Sequence, residues 1–422
     1  MDLISTDRFR QGARGLDVSI VMPCLNEAQS LAHCIANARE ALGRIEARYG
    51  LAGEIVIADN GSTDGSQKLA LACGARVVDV AAKGYGAALI GGFGAAYGRY
   101  LLMGDADGSY DFTDGVAMIG RLIDGADLCM GSRFDGGIAA GAMPWKNRYI
   151  GNPALTGILN LFFRSGVRDA HCGLRAITKK AFQALDLSGA GMEFASEMVI
   201  KATLKRLRID EAPATLSPDL RDRPPHLRPW RDGWRHLRYL LMLSPTWVFG
   251  VPAVVALLTG LALIGAAIGE ALWPGLAPAI GSYWTILGSA LVAIGHLGML
   301  LALSGDLYGI RAGYRQASGM ILLVARFANL ESMLLSGLAS AMTGLGVLGL
   351  VYAKWVSRDY QATSDILLPV LGTLGLTLGF QNALGGFLLA IIGGHEARFL
   401  ATVEDREPVN SSVHSKRHDP LA

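Results

Sequence analysis

Two carboxylates one residue apart, Asp105 and Asp107, close the apolar run 101–103. A buried strand that ends in Asp-x-Asp sets two hard oxygen ligands at the lip of a sheet, where open α/β sheets bind their ligands. Such a pair suits a divalent ion held on a diphosphate, although a motif this short is by itself more often an acidic turn. Other groups with chemical potential are spaced around it. Glu27 follows Cys24-Leu25-Asn26 at a helix start, Asp59 and Asp64 bracket Asn60-Gly61-Ser62-Thr63, and Lys83 opens the glycine-rich Lys-Gly-Tyr-Gly stretch. Glu27 suits the first turn of a helix and Asp64 could cap the next one. Arg133, Arg148 and Arg175 stand in the runs GSR, WKNRYIGN and HCGLR. A planar guanidinium grips phosphate through two parallel bonds, so these three are candidate phosphate clamps; otherwise each is a solvated surface charge. His171, beside Arg175, suits a packed, hydrogen-bonded ring.

The elements that must position these groups are legible as alternating patterns. Residues 17–23, 53–58, 76–80, 100–103 and 127–130 read as strands, and the stretches 83–97 and 112–123 read as helices between them. This alternation predicts a mostly parallel sheet with helices on both faces. The chain is 51% hydrophobic and 18% charged, too apolar for an ordinary soluble enzyme. The excess lies in the C-terminal half, where 248–269, 283–304, 333–353 and 366–394 each reach the ~20 apolar residues of a membrane span. Residues 1–17 are polar and lack the apolar core of a secretory leader. Arg311, Arg315 and Arg326 lie between the second and third spans, and Arg398, Lys416 and Arg417 follow the fourth. The first outer loop has Glu270 and no basic residue, with Lys354 and Arg358 in the second outer loop as a mild exception. The bias predicts a cytosolic N-terminal domain and tail. Five cysteines, Cys24, Cys34, Cys73, Cys129 and Cys172, have neither metal-site spacing nor disulfide-scaffold density.

Between the halves, 221–243 carries Arg221, Arg223, Arg228, Arg231, Arg235 and Arg238, with His226, His236 and interleaved Trp230, Trp234 and Tyr239. From Asp232 onward the apolar residues share one helical face, which predicts a segment lying in the plane of anionic headgroups. Nucleic acid is not expected as a partner, because the net charge is only +2 and the segment abuts a span.

The motifs PCLNE, ADNGSTDG, KGYGAAL, Asp-x-Asp, GSR and CGLRAI follow one another over the first half in the order of the family 2 glycosyltransferases, which the chain resembles. With the basic segment and the spans, it resembles in particular the polyprenyl-phosphate glycosyltransferases, the group of the dolichol-phosphate mannose and glucose synthases. The resemblance implies a GT-A, Rossmann-like α/β domain over 1–228, an interfacial amphipathic segment over 229–245, four transmembrane α-helices over 246–396 and a disordered cytosolic tail over 397–422. It implies a metal-dependent, inverting transfer of one sugar from a UDP- or GDP-sugar to polyprenyl phosphate at the cytosolic face of a bacterial plasma membrane, with a homo-oligomer as one possible assembly.

The resemblance also distributes roles. Pro23, Glu27, Asp59, Lys83 and Asp105 are expected to bind the donor, with Asp59 accepting from the base. Asp105 and Asp107 are expected to share Mg²⁺ or Mn²⁺, and Ser109 occupies the place where some relatives have a further ligand, Gln. Arg133, Arg148, Arg175, Arg221, Arg223 and Arg231 are expected near the acceptor phosphate, with Arg133 and Arg175 also counted as catalytic. That phosphate, with a second pKa of about 6, is largely a dianion near neutrality and needs no general base. Glu193 or Glu197, four residues apart on a helix, would touch sugar hydroxyls or simply face solvent. In the spans, Ser336, Ser340 and Gly344, like Gly375 and Gly379, repeat every four residues as close-packing positions, and His296, Gln381 and Asn382 suit interhelical hydrogen bonds. A processive polysaccharide synthase, whose Gln-x-x-Arg-Trp motif is absent here, and a non-catalytic partner of a lipid flippase are the alternatives.

Overall fold

The computed structural model describes residues 15–222, 229–275, 281–361, 366–395 and 397–399. The chain divides into two compact units, Met1–Val248 with Ala312–Gln316, and Phe249–Arg311 with Ala317–Ala422.

The first unit is built on seven strands: β1 (Val18–Cys24), β2 (Gly53–Asp59), β3 (Arg76–Asp79), β4 (Tyr100–Met103), β5 (Leu128–Ser132), β6 (Arg175–Thr178) and β7 (Ile209–Pro213), in the order β3-β2-β1-β4-β6-β5-β7. β3, β2, β1 and β4 run parallel, as β5 and β7 do, while β6 is antiparallel to both β4 and β5. Successive residues of a strand face opposite sides. Ile20, Met22 and Leu102 accordingly enter one apolar layer and Val21, Leu101 and Met103 the other, so both faces of the sheet are covered. The first layer includes α1 (Leu31–Tyr49), α2 (Ser66–Ala72) and, beyond α3 (Tyr85–Ala95), helix α4 (Gly115–Ile123). The second includes α3, α5 (Asn152–Phe163), α6 (Lys179–Leu185) and α7 (Phe194–Leu204). The antiparallel β6 makes this mostly parallel sheet a mixed one. It is four residues long, buried on both faces and embedded in the CGLRAI motif, so it shows no alternation to be read.

Helix α8 (Pro229–Met242) is amphipathic, and its inner face belongs to the first unit: His236 and Leu240 are buried and Leu240 joins the second apolar layer, while Trp234 is exposed.

The second unit contains four long apolar helices. These are α9 (Val251–Leu272), α10 (Ser282–Arg311) and, after the short α11 (Gly319–Phe327), α12 (Leu330–Val356) and α13 (Leu367–Ile392). With the turn at Thr246 added to α9, they run 26 to 30 residues, enough to cross a hydrocarbon layer about 30 Å thick. Glycines permit close backbone approach: a Cβ on Gly260 would lie 2.6 Å from Gly288 O, and one on Gly337 would lie 2.8 Å from Gly379 O. Polar side chains tie the helices together. His296 Nδ1 meets Gln381 Oε1 at 2.9 Å, Asn382 Nδ2 donates to Ser336 Oγ at 2.7 Å, and Ser340 Oγ donates to Gly375 O at 2.8 Å.

Candidate active site

The parallel register brings three motifs to one lip of the sheet. Cys24 at the end of β1 pairs with Asp59 at the end of β2, and Val21 pairs with Met103 at the end of β4. The loops that follow are stitched by side chains acting on backbone. Ser62 Oγ accepts from Asn26 N at 2.9 Å, Asn26 Oδ1 accepts from Thr63 N at 2.8 Å, Ser66 Oγ accepts from Glu27 N at 3.0 Å, and Asp64 accepts from Ala28 N at 2.9 Å. Asp64 also accepts from Ser66 N at 3.0 Å and so serves the start of α2. Pro23 lies within β1 opposite Ala58.

Asp59 is buried, and its Oδ2 accepts from Gly61 N, Ser62 N and Gln67 Nε2 at 2.6–3.0 Å. Burial acts to raise its pKa, yet these bonds outweigh it and hold the carboxyl below its ordinary 3.8. Oδ1 stands 3.4 Å from Ser62 N, a longer contact than those of Oδ2. Lys83 Nζ donates to Asn60 O at 2.6 Å. Asn60 was not singled out by sequence, although it clasps the Lys83 loop: its amide donates to Val80 O and Ala82 O and accepts from Gly84 N, at 2.7–3.0 Å.

Asp105 and Asp107 follow β4 as expected, with Tyr85 Oη donating to Asp105 Oδ1 at 2.9 Å. Burial first, and then the charge of Asp107, push the Asp105 carboxyl up to about 7 against the pull of Tyr85 and Arg221. Asp107 Oδ1 accepts from Ser109 N at 3.0 Å, so Ser109 meets this carboxylate through its backbone. Asp107 Oδ2 accepts from Arg221 Nη2 at 2.8 Å, and Arg221 Nη1 stands 3.4 Å from Glu27 Oε1. Among the described residues no group of three or more His, Cys, Asp or Glu forms a ready metal cage. A carboxylate pair still fits Mg²⁺ or Mn²⁺, because such ions take one or two carboxylates and complete their shell with phosphate oxygens and water. Two crowded carboxylates, one of them with a raised pKa, are also the arrangement a cation relieves.

Arg133 and Arg175 are placed differently from expectation. Arg133 is buried and holds Asp169 bidentately, Nε to Oδ2 and Nη2 to Oδ1, both at 2.7 Å. Arg175 is 1% exposed and donates to the carbonyls of Cys172, Ala195 and Ala170 at 2.6–3.0 Å. A buried guanidinium must find partners, and here an internal carboxylate and loop carbonyls supply them. Both arginines therefore brace the loop before β6 in this structure, each with its guanidinium engaged by protein groups. His171 packs edge-on against His236 with ring centroids 5.0 Å apart. Burial, then His236, Arg175 and Arg133, press its pKa well below 6.5. The Cys172 thiol is pushed up to about 11 by burial and is a packing group.

Glu197 likewise turns inward. It accepts from Ser188 N and Gly189 N and pairs with Lys201 Nζ at 2.8 Å, fixing the loop whose Ala190 O accepts from Ala87 N at 3.1 Å. Glu193 accepts from Gly191 N at 3.0 Å. Arg148 stays half-buried in the turn Asn147–Gly151, with its guanidinium 5.5 Å from the Tyr149 ring centroid. Around it Trp145, Tyr149 and Ile150 are 61%, 68% and 57% exposed. Arg231 lies in the first turn of α8 with its side chain exposed. Arg223, His226, Arg228, Lys416 and Arg417 fall outside the described residues, as does the tail from 400 onward.

Comparison with known proteins agrees with this layout. The family model Glycosyl transferase family 2 matches residues 19–186, and Glycosyltransferase family 2 C-terminal transmembrane region matches 303–393. The low-salt glycan biosynthesis hexosyltransferase of Haloferax volcanii is 35% identical over 385 residues, 89% of either chain. The polyprenol monophosphomannose synthase of Mycolicibacterium smegmatis is 27% identical over 211 residues, covering 47% of this chain and 76% of that one. Among solved structures, glucosyl-3-phosphoglycerate synthase from Mycobacterium tuberculosis, crystallised with Mn²⁺, UDP and glucosyl-3-phosphoglycerate, aligns with TM-score 0.40 and 20% identity over 57% of this chain and 83% of that one. The mixed sheet covered by helices on both faces is the GT-A arrangement, and α12 and α13 lie within the matched transmembrane region. The chain belongs to glycosyl transferase family 2 and is an integral membrane glycosyltransferase.

Proposed function

We propose that this enzyme transfers a single sugar, with inversion, from a UDP- or GDP-sugar to polyprenyl phosphate at the cytosolic face of the plasma membrane, with Mg²⁺ or Mn²⁺. The observation that carries this reading is the Asp105–Asp107 pair at the lip of β4, ringed by Glu27 and Arg221, in a chain whose other half is apolar helix. The name of the mycobacterial relative, a polyprenol monophosphomannose synthase, supports the acceptor class.

Pro23, Asp59 and the loop held by Asn60 and Lys83 would seat the nucleotide. Asp105 and Asp107 would hold the divalent ion, which when bound neutralises charge growing on the departing diphosphate. The lipid phosphate is itself the nucleophile, so the protein's task is to hold one anion beside another. Arg148, among exposed aromatic residues suited to a headgroup layer, together with Arg221 and Arg231, carries that task. Arg133 and Arg175 act behind the site by fixing the loop that leads into β6. Residues Ala312–Gln316, between the second and third long helices, pack as part of the first unit, with Gln316 N donating to Leu204 O at 3.2 Å and Arg315 Nη2 to Leu243 O at 2.7 Å. This supports placing that basic loop and the GT-A domain on one side of the membrane, the side the charge bias marks as cytosolic.

Loss of Asp107 tests the assignment. Asp107→Ala, or chelation of the wild type, should lower the rate of sugar transfer more than 100-fold, about 3 kcal/mol, the scale of losing one electrostatic partner of a transition state. Full transfer by the folded Asp107→Ala protein in chelator would overturn it.

A further inference from the structure

The segment that ends at Arg221 lies as a strap across the Asp-x-Asp loop. Ser217 N donates to Ser109 O and Leu220 N to Asp107 O, both at 2.9 Å. Gln29 and Asp222 clasp each other twice, Gln29 Nε2 to Asp222 Oδ2 and Asp222 N to Gln29 Oε1, each at 3.3 Å. Leu220 covers Gly108 so closely that a Cβ there would lie 2.7 Å from Leu220 Cδ1. From this strap Arg221 reaches in and takes Asp107 Oδ2 at 2.8 Å, Glu27 Oε1 at 3.4 Å and Asp219 Oδ2 at 3.0 Å.

Two features favour exchange over permanent bracing. Asp107 Oδ2, the oxygen Arg221 holds, is the one a metal would claim, since Oδ1 already accepts from Ser109 N. A guanidinium and a divalent cation on the same oxygen repel each other at short range. Arg221 Nε, moreover, is buried and has no hydrogen-bond partner, in contrast to Arg175, whose Nε and both terminal nitrogens are bonded. A buried donor left unmatched lowers the cost of leaving the pose.

We propose that Arg221 is an exchangeable counter-ion of the Asp-x-Asp pair: it and the divalent ion compete for Asp107, and on metal entry its guanidinium moves, tethered by the strap, onto phosphate oxygens brought by a substrate. The proposal rests on the metal assignment made above and adds to it a coupling. The ion alone binds weakly because it must displace Arg221, and it binds tightly once a phosphate is present to receive the displaced cation.

The test is calorimetric titration of Mn²⁺ into the full-length protein in detergent, alone, with UDP or GDP, and with a short-chain polyprenyl monophosphate. Arg221→Gln should raise the affinity for Mn²⁺ alone about fivefold or more and reduce the enhancement given by whichever phosphate receives the guanidinium, the scale of an ordinary coupling between sites. Gln29→Ala, which loosens the clasp and keeps the charge, should move Mn²⁺ affinity in the same direction, about twofold. Lys68→Gln removes an exposed cation on α2 that has no part in the site, and should leave it unchanged. An Arg221→Gln protein that binds Mn²⁺ alone no better than wild type, or a Lys68→Gln protein that gains as much, overturns the exchange. Wild-type Mn²⁺ binding by Asp107→Ala would instead overturn the metal assignment beneath it, so the two failures are told apart.

Discussion

Asp105 is the residue at which folding works against function. Its carboxyl is enclosed beside Asp107 and raised to about 7, so between its ordinary 3.8 and that value the folded protein keeps a proton that the unfolded chain has released. The resulting contribution to stability is fully present below 3.8 and is lost as pH rises through about 7. Asp105→Asn has no charge to bury and can still accept the Tyr85 bond. It should therefore melt about 2–4 °C above wild type at pH 8, the shift expected for roughly 1 kcal/mol in a domain of this size, with a smaller gap at pH 5. Thermal unfolding of both proteins at the two pH values checks this, and a gap independent of pH would deny the raised pKa. At this scale the carboxylates were legible because an apolar run has no other reason to stop at two charges. The internal partners of Arg133 and Arg175 were not. Asp169 lies 36 residues from Arg133, and the carbonyl of Ala195 lies 20 residues from Arg175. No local pattern reports such distances, so a guanidinium bound inside the protein reads in sequence like one awaiting a phosphate. Tyr85 was hidden in the same way, because its hydroxyl finds Asp105 across 20 residues.

Among the elements, helix α3 shows what the glycines of KGYGAAL do. Gly84 sits at φ +132°, outside the range most residues adopt, and a Cβ on Gly86 would overlap Gly189 O and lie 2.7 Å from Phe194 Cβ. The structure uses these glycines to admit the 189–191 loop, itself anchored on Glu197 and Glu193. Gly86→Ala should consequently cost about 1–3 kcal/mol, the range for forcing an extra methyl into a packed site. Thermal unfolding measures it, and an unchanged melting temperature would mean that the loop yields freely. Strands β1, β2, β4 and β5 were readable as apolar runs. β7 was missed because an edge strand of Ile-Asp-Glu-Ala-Pro is charged, as edge strands tend to be, and carries no alternation longer than its own five residues. β6 is not legible because a run of four residues buried on both faces carries no alternation.

For the molecule as a whole, composition was the most legible feature. Four apolar stretches in a chain with 18% charged residues announced the four long helices, whose ends moved by a few residues once hydrogen bonding defined them. The place of α8 was less visible: its hydrophobic face suits a membrane surface in pattern, while His236, Leu240 and Leu243 show that the core of the first unit takes much of it. Pattern reports that a face is apolar and not what covers it. What the whole molecule does is decided by its product. The purified full-length protein, reconstituted in vesicles containing polyprenyl phosphate and supplied with UDP- and GDP-sugars and Mn²⁺, should yield a lipid whose mass exceeds that of the acceptor by one sugar, and chelation should abolish it. A growing polymer, or donor turnover with no sugar on the lipid, would contradict transfer to polyprenyl phosphate.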